Sequence, residues 1–271
     1  MGDGAMENFD ASPPVPPMAR MPRPSGPGPA SPAPCKLAAT GACLVPGLCR
    51  NPKTAVASRA NGGRPPSPAG GVTRRIVHRG QSLYRAGDAF ANLYQLYAGS
   101  MKLRITNSAG MEQIASFPIA GALLGLDGID TGHYACDAIA LEDSLTCILP
   151  FADLVARSRA DAPSALQLSR AIAQETNHYR RLIMVLAGMN SEERVAHFLQ
   201  DISERMAAGG YSSREFVLKM TRADIARYLG MKIETVSRAF TRLHLARILD
   251  VRGRHLRIRD PDALRRLGAG R

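Results

Sequence analysis

Near the C-terminus, Glu234, Ser237 and Arg238 recur at i, i+3 and i+4, a spacing that places all three on one face of a helix. The three side chains share a chemistry. An arginine donates two hydrogen bonds to guanine O6 and N7, a glutamate accepts from a cytosine amino group, and a serine serves either kind of edge. A glutamate is repelled by phosphates unless it meets a specific donor, so its presence here favours base reading over plain charge attraction. Lys219, Arg222, Arg242 and Arg247 flank the triad. They suit phosphate contacts, which set register and carry no sequence information. A second chemical group is the five cysteines at positions 35, 43, 49, 136 and 147. Their odd number and uneven spacing argue against a disulfide framework and for metal or redox chemistry. Zinc lacks the paired C-x2-C spacing it favours, whereas thiol oxidation without a metal needs no fixed spacing.

The triad needs a helix held by a partner. Thr221 with Asp224 three residues on reads as a capping box that opens a helix, and Gly230 allows the sharp turn that closes it. A second helix over about 233–245 would turn Ile233, Val236, Phe240 and Leu243 to the core and leave the triad outside. Residues 248–258, ILDVRGRHLRI, alternate around Arg252-Gly253 and read as a hairpin wing. Residues 214–271 hold 15 Lys and Arg against 6 Asp and Glu, so much of the chain's net charge of +12 sits beside the triad. That is the electrostatic footprint of a nucleic-acid-binding domain.

Further upstream, residues 163–187 and 191–206 read as helices. Leu168, Ile172, Glu175, Tyr179, Leu182 and Leu186 form a 4-3-4-3-4 seam able to pair two helices into a dimer. Between about 73 and 155, short apolar runs such as 93–97 and 101–105 are separated by glycines, the texture of a β-barrel or roll. The expected architecture is therefore α+β. Its parts are a Pro-rich disordered arm at 1–34, a Cys-rich sensor segment at 35–49, a flexible linker at 50–72 and a β-roll at 73–162. A dimerisation helix at 163–190 and a winged helix-turn-helix DNA-binding domain at 191–271 complete it.

Several stretches resemble the CRP/FNR superfamily of bacterial transcription regulators, FNR branch. They are MTRADIARYLGMKIETVSRAFTRL at 220–243 with its E-x-x-S-R motif, GQSLYRAGD at 80–88, YAGSMKLR at 97–104 and SEERVAHFL at 191–199. The resemblance covers about residues 75–260. It implies a cyclic-nucleotide-binding-like β-roll, a homodimer, and double-stranded promoter DNA with a site like TTGAT–four bases–ATCAA. It also implies contact between RNA polymerase and the loop 108–112. Against a cyclic nucleotide stand Leu124-Gly125-Leu126-Asp127 and Tyr134-Ala135, where nucleotide-binding members carry a Glu and an Arg-Ser pair. The branch's [4Fe–4S] cluster needs four thiolates, and Cys147 and the pair Cys43 and Cys49 match its pattern. A third N-terminal Cys is implied at position 40, where Thr40 stands; Cys35 is the nearest candidate, with Cys136 the alternative. The resemblance thus implies metal ligands Cys35, Cys43, Cys49 and Cys147.

The chain shows no phosphate loop, nucleophile elbow or metal-hydrolase motif, so an enzyme is not expected. It shows neither a signal pattern nor an apolar run of membrane-spanning length, which points to a cytoplasmic protein with no membrane partner. Two alternatives stand beside the oxygen-responsive regulator. One is a regulator answering another effector or thiol oxidation, and the other is a stand-alone β-roll ligand-binding module with an incidental basic tail.

Overall fold

The computed structural model describes Cys43 and residues 73–270. The expectations for 1–34, for 50–72, and for Cys35 and Cys49 lie outside the described residues.

Eight strands build the roll: β1 (Arg74–Val77), β2 (Ser82–Tyr84), β3 (Asn92–Ala98), β4 (Met101–Thr106), β5 (Glu112–Ser116), β6 (Leu123–Leu124), β7 (Asp137–Ala140) and β8 (Ser144–Pro150). They form two antiparallel sheets, ordered β1-β8-β3-β6 and β2-β7-β4-β5. The runs expected at 93–97 and 101–105 are β3 and β4, and they fall in different sheets. Gly99 makes that crossing possible. Its φ is +96°, and a Cβ there would stand 2.8 Å from the Ser144 Cα, so neither the dihedral nor the space admits a side chain.

Alternation along β3 and β8 divides their residues between two cores. Tyr94, Leu96 and Ile148 point into the roll with Tyr84, Tyr134 and Cys136. Leu93 and Leu149 point outward, into a second cluster with Cys43, Leu154 and Leu168.

Behind β8 runs α1 (Phe151–Ala160), a helix that the sequence reading places within the roll. Asp161 then caps α2 (Ala162–Gly188) by accepting from the Ser164 amide, with Pro163 in its first turn, where a missing N–H costs nothing. Asn190 and Glu193 form a full capping box on α3 (Ser191–Ala208). The seam expected on α2 is split in the structure. Leu168 packs onto the roll's outer cluster and Leu182 onto the C-terminal core, while Ile172 remains exposed. The exposed large apolar residues of α2 are Leu166, Ile172, Ile183 and Met184.

The C-terminal part consists of β9 (Glu215–Val217), α4 (Arg222–Leu229), α5 (Ile233–Leu245), the hairpin β10 (Leu249–Arg252) and β11 (His255–Ile258), and α6 (Pro261–Gly268). The three strands pair in the order β10-β11-β9. Its core joins Val195, Leu199, Ile225, Leu229, Val236, Phe240, Leu243 and Leu256 with Ile114, Phe117 and Leu141 of the roll. The two parts therefore share one hydrophobic core. Phe117, Phe198 and Tyr228, with ring centroids 5.2–5.9 Å apart, sit where the roll, α3 and α4 meet.

Candidate nucleic-acid interface and thiol site

The helix that carries the triad is α5, and the turn before it sets its angle. Thr221 Oγ1 accepts from the Asp224 amide, and the Asp224 carboxylate accepts from the Thr221 amide, closing the expected capping box on α4. Gly230 ends α4 in the left-handed region, φ +60°, and the chain re-enters helix at Ile233. Val236, Phe240 and Leu243 are buried as the spacing required. Ile233 is a correction: it is 44% exposed, because the first residue of α5 lies ahead of the point where the helix meets the core.

Glu234, Ser237 and Arg238 all stand exposed on the N-terminal half of α5, opposite Val236 and Phe240. None of the three carries a hydrogen bond or ion pair from its side chain among the described residues. Two acceptor-capable groups and one bidentate donor are thus presented together on a face one helix wide, as base edges in a major groove require.

The flanking cations differ from one another. Arg222 lies 3.3 Å from the Phe240 ring centre, and burial holds its pKa down at about 10, so it stays charged at neutral pH while resting on α5. Arg242 pairs with Glu192 at 2.5 Å and Lys219 with Glu142 at 3.0 Å. Arg247 is exposed and left-handed, φ +59°, where the chain leaves α5 for the wing. The wing turns at Gly253-Arg254, one residue beyond the expected Arg252-Gly253, because Arg252 is the last strand residue and pairs with His255.

The β4–β5 loop projects Met111, 68% exposed, above an Asn107 side chain that accepts from the Ala109 and Met111 amides. Glu112, at the loop's end, is engaged by Arg104 at 2.7 Å and Arg227 at 3.6 Å.

The roll's interior is occupied by its own side chains. Tyr84 stacks on Tyr134 at 4.0 Å, with Tyr94 5.7 Å from Tyr84. Asp127 accepts from the Ala135 and Cys136 amides at 2.7 and 3.2 Å. Those amides stand beside the position where an Arg-Ser pair would hold a cyclic phosphate, and a carboxylate of this chain has taken them.

The described thiols separate by face. Cys136 is inside the roll, where burial, with Asp127 nearby, pushes its thiol well above the ordinary range, so it stays protonated. Cys147 precedes Leu149 by two residues on β8, so it shares the outward face. Cys43 is buried against that same face with Leu93, Leu149 and Leu154. Cys43 and Cys147 thus lie on the side of the sheet away from Cys136. Among the described residues no group of three or more His, Cys, Asp or Glu is arranged for a metal; Cys35 and Cys49 lie outside them.

Sequence spacing leaves His178 and His197 isolated. In the fold they line one small cavity between α2, α3 and α4, together with Arg181 and Asp201. The residues come from helices separated by turns, and no linear spacing reveals the meeting. Nor does it reveal Lys102, whose role depends on a residue 122 positions away.

Comparison with known proteins places these features. Residues 74–158 match the family model described as a cyclic nucleotide-binding domain, and residues 193–267 match a Crp-like helix-turn-helix domain. The chain is 38% identical over 194 residues to the fumarate and nitrate reduction regulatory protein of Escherichia coli (strain K12), covering 72% of this chain and 78% of that one. The corresponding protein of Salmonella typhimurium is also 38% identical, over 191 residues, covering 70% and 76%. Among solved structures, FixK2 from Bradyrhizobium japonicum superposes with a TM-score of 0.67 at 27% identity, covering 74% of this chain and 98% of that one. A CRP-family regulator from Thermus thermophilus shares the fold at 17% identity, with a TM-score of 0.58 over 72% of this chain and 96% of that one.

Proposed function

The chain belongs to the CRP/FNR superfamily of DNA-binding transcription regulators, FNR branch, and from that membership we propose a cytoplasmic, oxygen- or redox-responsive regulator of anaerobic-metabolism genes. Its reading triad is Glu234, Ser237 and Arg238, recognising a half-site like TTGAT from the major groove. Arg222 and Arg242 hold the phosphates. Two copies pair through the exposed apolar stripe of α2, which sets two reading helices about one DNA turn apart. The exposed loop tip at Met111 faces RNA polymerase.

Sensing rests on one observation: Cys43 and Cys147 share the outer face of the β1-β8-β3-β6 sheet. Cys35, Cys43, Cys49 and Cys147 would hold a [4Fe–4S] cluster, which supplies oxygen-sensitive redox chemistry when bound. The protein's own part is mechanical. Leu168 of α2 lies in the same apolar cluster as Cys43 and Leu154, so seating the segment around Cys43 on the sheet biases the position of the helix that pairs. Loss of that seat loosens the pair, and affinity for a two-fold site falls because each half binds alone.

The test is anaerobic purification followed by an absorption spectrum with iron and sulfide analysis. About four iron and four sulfide per chain are expected, with visible absorption bleached by air. Cys147→Ser removes this signal and Cys136→Ser leaves it. Colourless, iron-free anaerobic protein sinks the sensor reading, and equal behaviour of the two variants sinks the ligand assignment.

A further inference from the structure

We infer that Lys102, a residue of the roll, is a positioning residue that fixes the spacing at which two half-sites are read. The inference rests on the dimeric promoter-binding reading above. Asp224 is the N3 residue of α4, and its two carboxylate oxygens have different partners. Oδ2 accepts from the Thr221 amide and hydroxyl, at 3.0 and 2.7 Å, and so closes the helix cap. Oδ1 accepts from Lys102 Nζ, on β4, at 2.6 Å. The same carboxylate therefore starts the first helix of the reading unit and ties that start to the roll.

Asp224 is buried and Lys102 half-buried, their side chains 5% and 19% exposed. Two other ion pairs cross the same boundary, Lys219 to Glu142 and Arg227 to Glu112, but all four of their side chains are substantially solvated. Exposed pairs contribute little, whereas a buried charge stripped of its partner is strongly penalised. Lys102–Asp224 is thus the charged contact hardest to break. The apolar core beneath it, with Phe117 and Tyr228 5.2 Å apart, is held by burial, which favours no direction. The short bond at the start of α4 is directed. Arg222, two residues before Asp224, lies against Phe240 of α5, so holding the α4 N-terminus also holds the reading helix.

Adding one base pair between half-sites moves them apart by about 3.4 Å and rotates one about the duplex. A reading unit locked to the roll cannot follow, and one hinged on the apolar core alone can. Lys102 should therefore leave base preference within a half-site untouched and govern preference between spacers.

The experiment uses the full chain purified without oxygen and duplexes carrying TTGAT and ATCAA separated by three, four or five bases. Wild type is expected to prefer four. Lys102→Gln lowers that preference about tenfold, the scale of coupling through residues that touch no ligand, while Lys102→Arg keeps it. The double variant Lys102→Met/Asp224→Asn strands no charge, and it decides the matter should Lys102→Gln fail to fold. The salt slope of binding stays constant in each folded variant, because no phosphate contact is removed. A folded variant without the pair that discriminates spacers as wild type does overturns the inference, as does a salt slope lowered by about one. Absence of any preference in wild type overturns it too. Failure of wild type to bind any of these duplexes above random DNA counts instead against the promoter-binding reading.

Discussion

Arg238 and Asp224 are both charged and lie fourteen positions apart, yet their surroundings give them opposite tasks. Arg238 is exposed with its fork unengaged, so its hydrogen-bonding capacity is available to a base. Arg238→Ala should cost about 1–3 kcal/mol of discrimination at a single position of the half-site and leave binding to random DNA nearly unchanged. Competition titration against duplexes substituted one base at a time measures this, and equal loss on all sequences would reassign Arg238 to phosphate. Asp224 is closed in. Burial alone would raise its pKa, but the Lys102 ammonium and the Thr221 hydroxyl and amide outweigh it and hold the carboxyl below the ordinary range. Asp137 is likewise held down against burial by Arg104. Carboxyls depressed in the folded state lend stability that is complete above the unfolded pKa of about 4 and drains away as pH falls toward the folded value. Urea midpoints should thus be insensitive to these two groups from pH 7 to 5 and fall below pH 4. In Asp224→Asn that acid loss should shrink.

At the scale of elements, α2 shows how one helix serves two surfaces. Its inward side packs within this chain, with Leu168 in the outer roll cluster and Leu182 against the C-terminal core. Its outward side keeps Ile183 and Met184, 63% and 70% exposed. Apolar groups left in water on a long helix mark a surface that another element covers. Ile183→Glu should therefore shift the protein toward monomer in sedimentation equilibrium at little change in melting temperature. Leu182→Ala should do the reverse, destabilising by about 2 kcal/mol through lost packing with assembly retained. If both act on folding alone, the exposed stripe is not the pairing surface.

For the whole molecule the governing quantity is charge. A net +12, concentrated in the part that carries α4, α5 and the wing, attracts a polyanion whatever its sequence. Each cation that displaces a counterion adds about 0.9 to the slope of log affinity against log salt. Arg222→Ala and Arg242→Ala should each flatten the slope by about that amount, with specificity preserved. An unchanged slope would mean that Arg222 serves only its stack on Phe240, or that Arg242 stays with Glu192.

Much of this organisation was legible in the chain because it is local. The capping box at Thr221 and Asp224, the left-handed Gly230 and the triad on one face of α5 all depend on neighbours within a few positions. Ile233 escaped because periodicity assigns a face without saying where the partner begins. The seam of α2 was legible as apolar, but which half turns inward depends on the roll and the C-terminal core, each supplied by distant sequence. By itself, then, the sequence determined the fold, the exposed face that carries the triad and the charge beside it, since short-range spacing and composition encode all three. Only the tertiary structure decided that Cys147 lies on the sheet face against which Cys43 packs, while Cys136 lies among the tyrosines. It alone brought Lys102 to Asp224, because burial and pairing across 122 residues are properties of the packed chain.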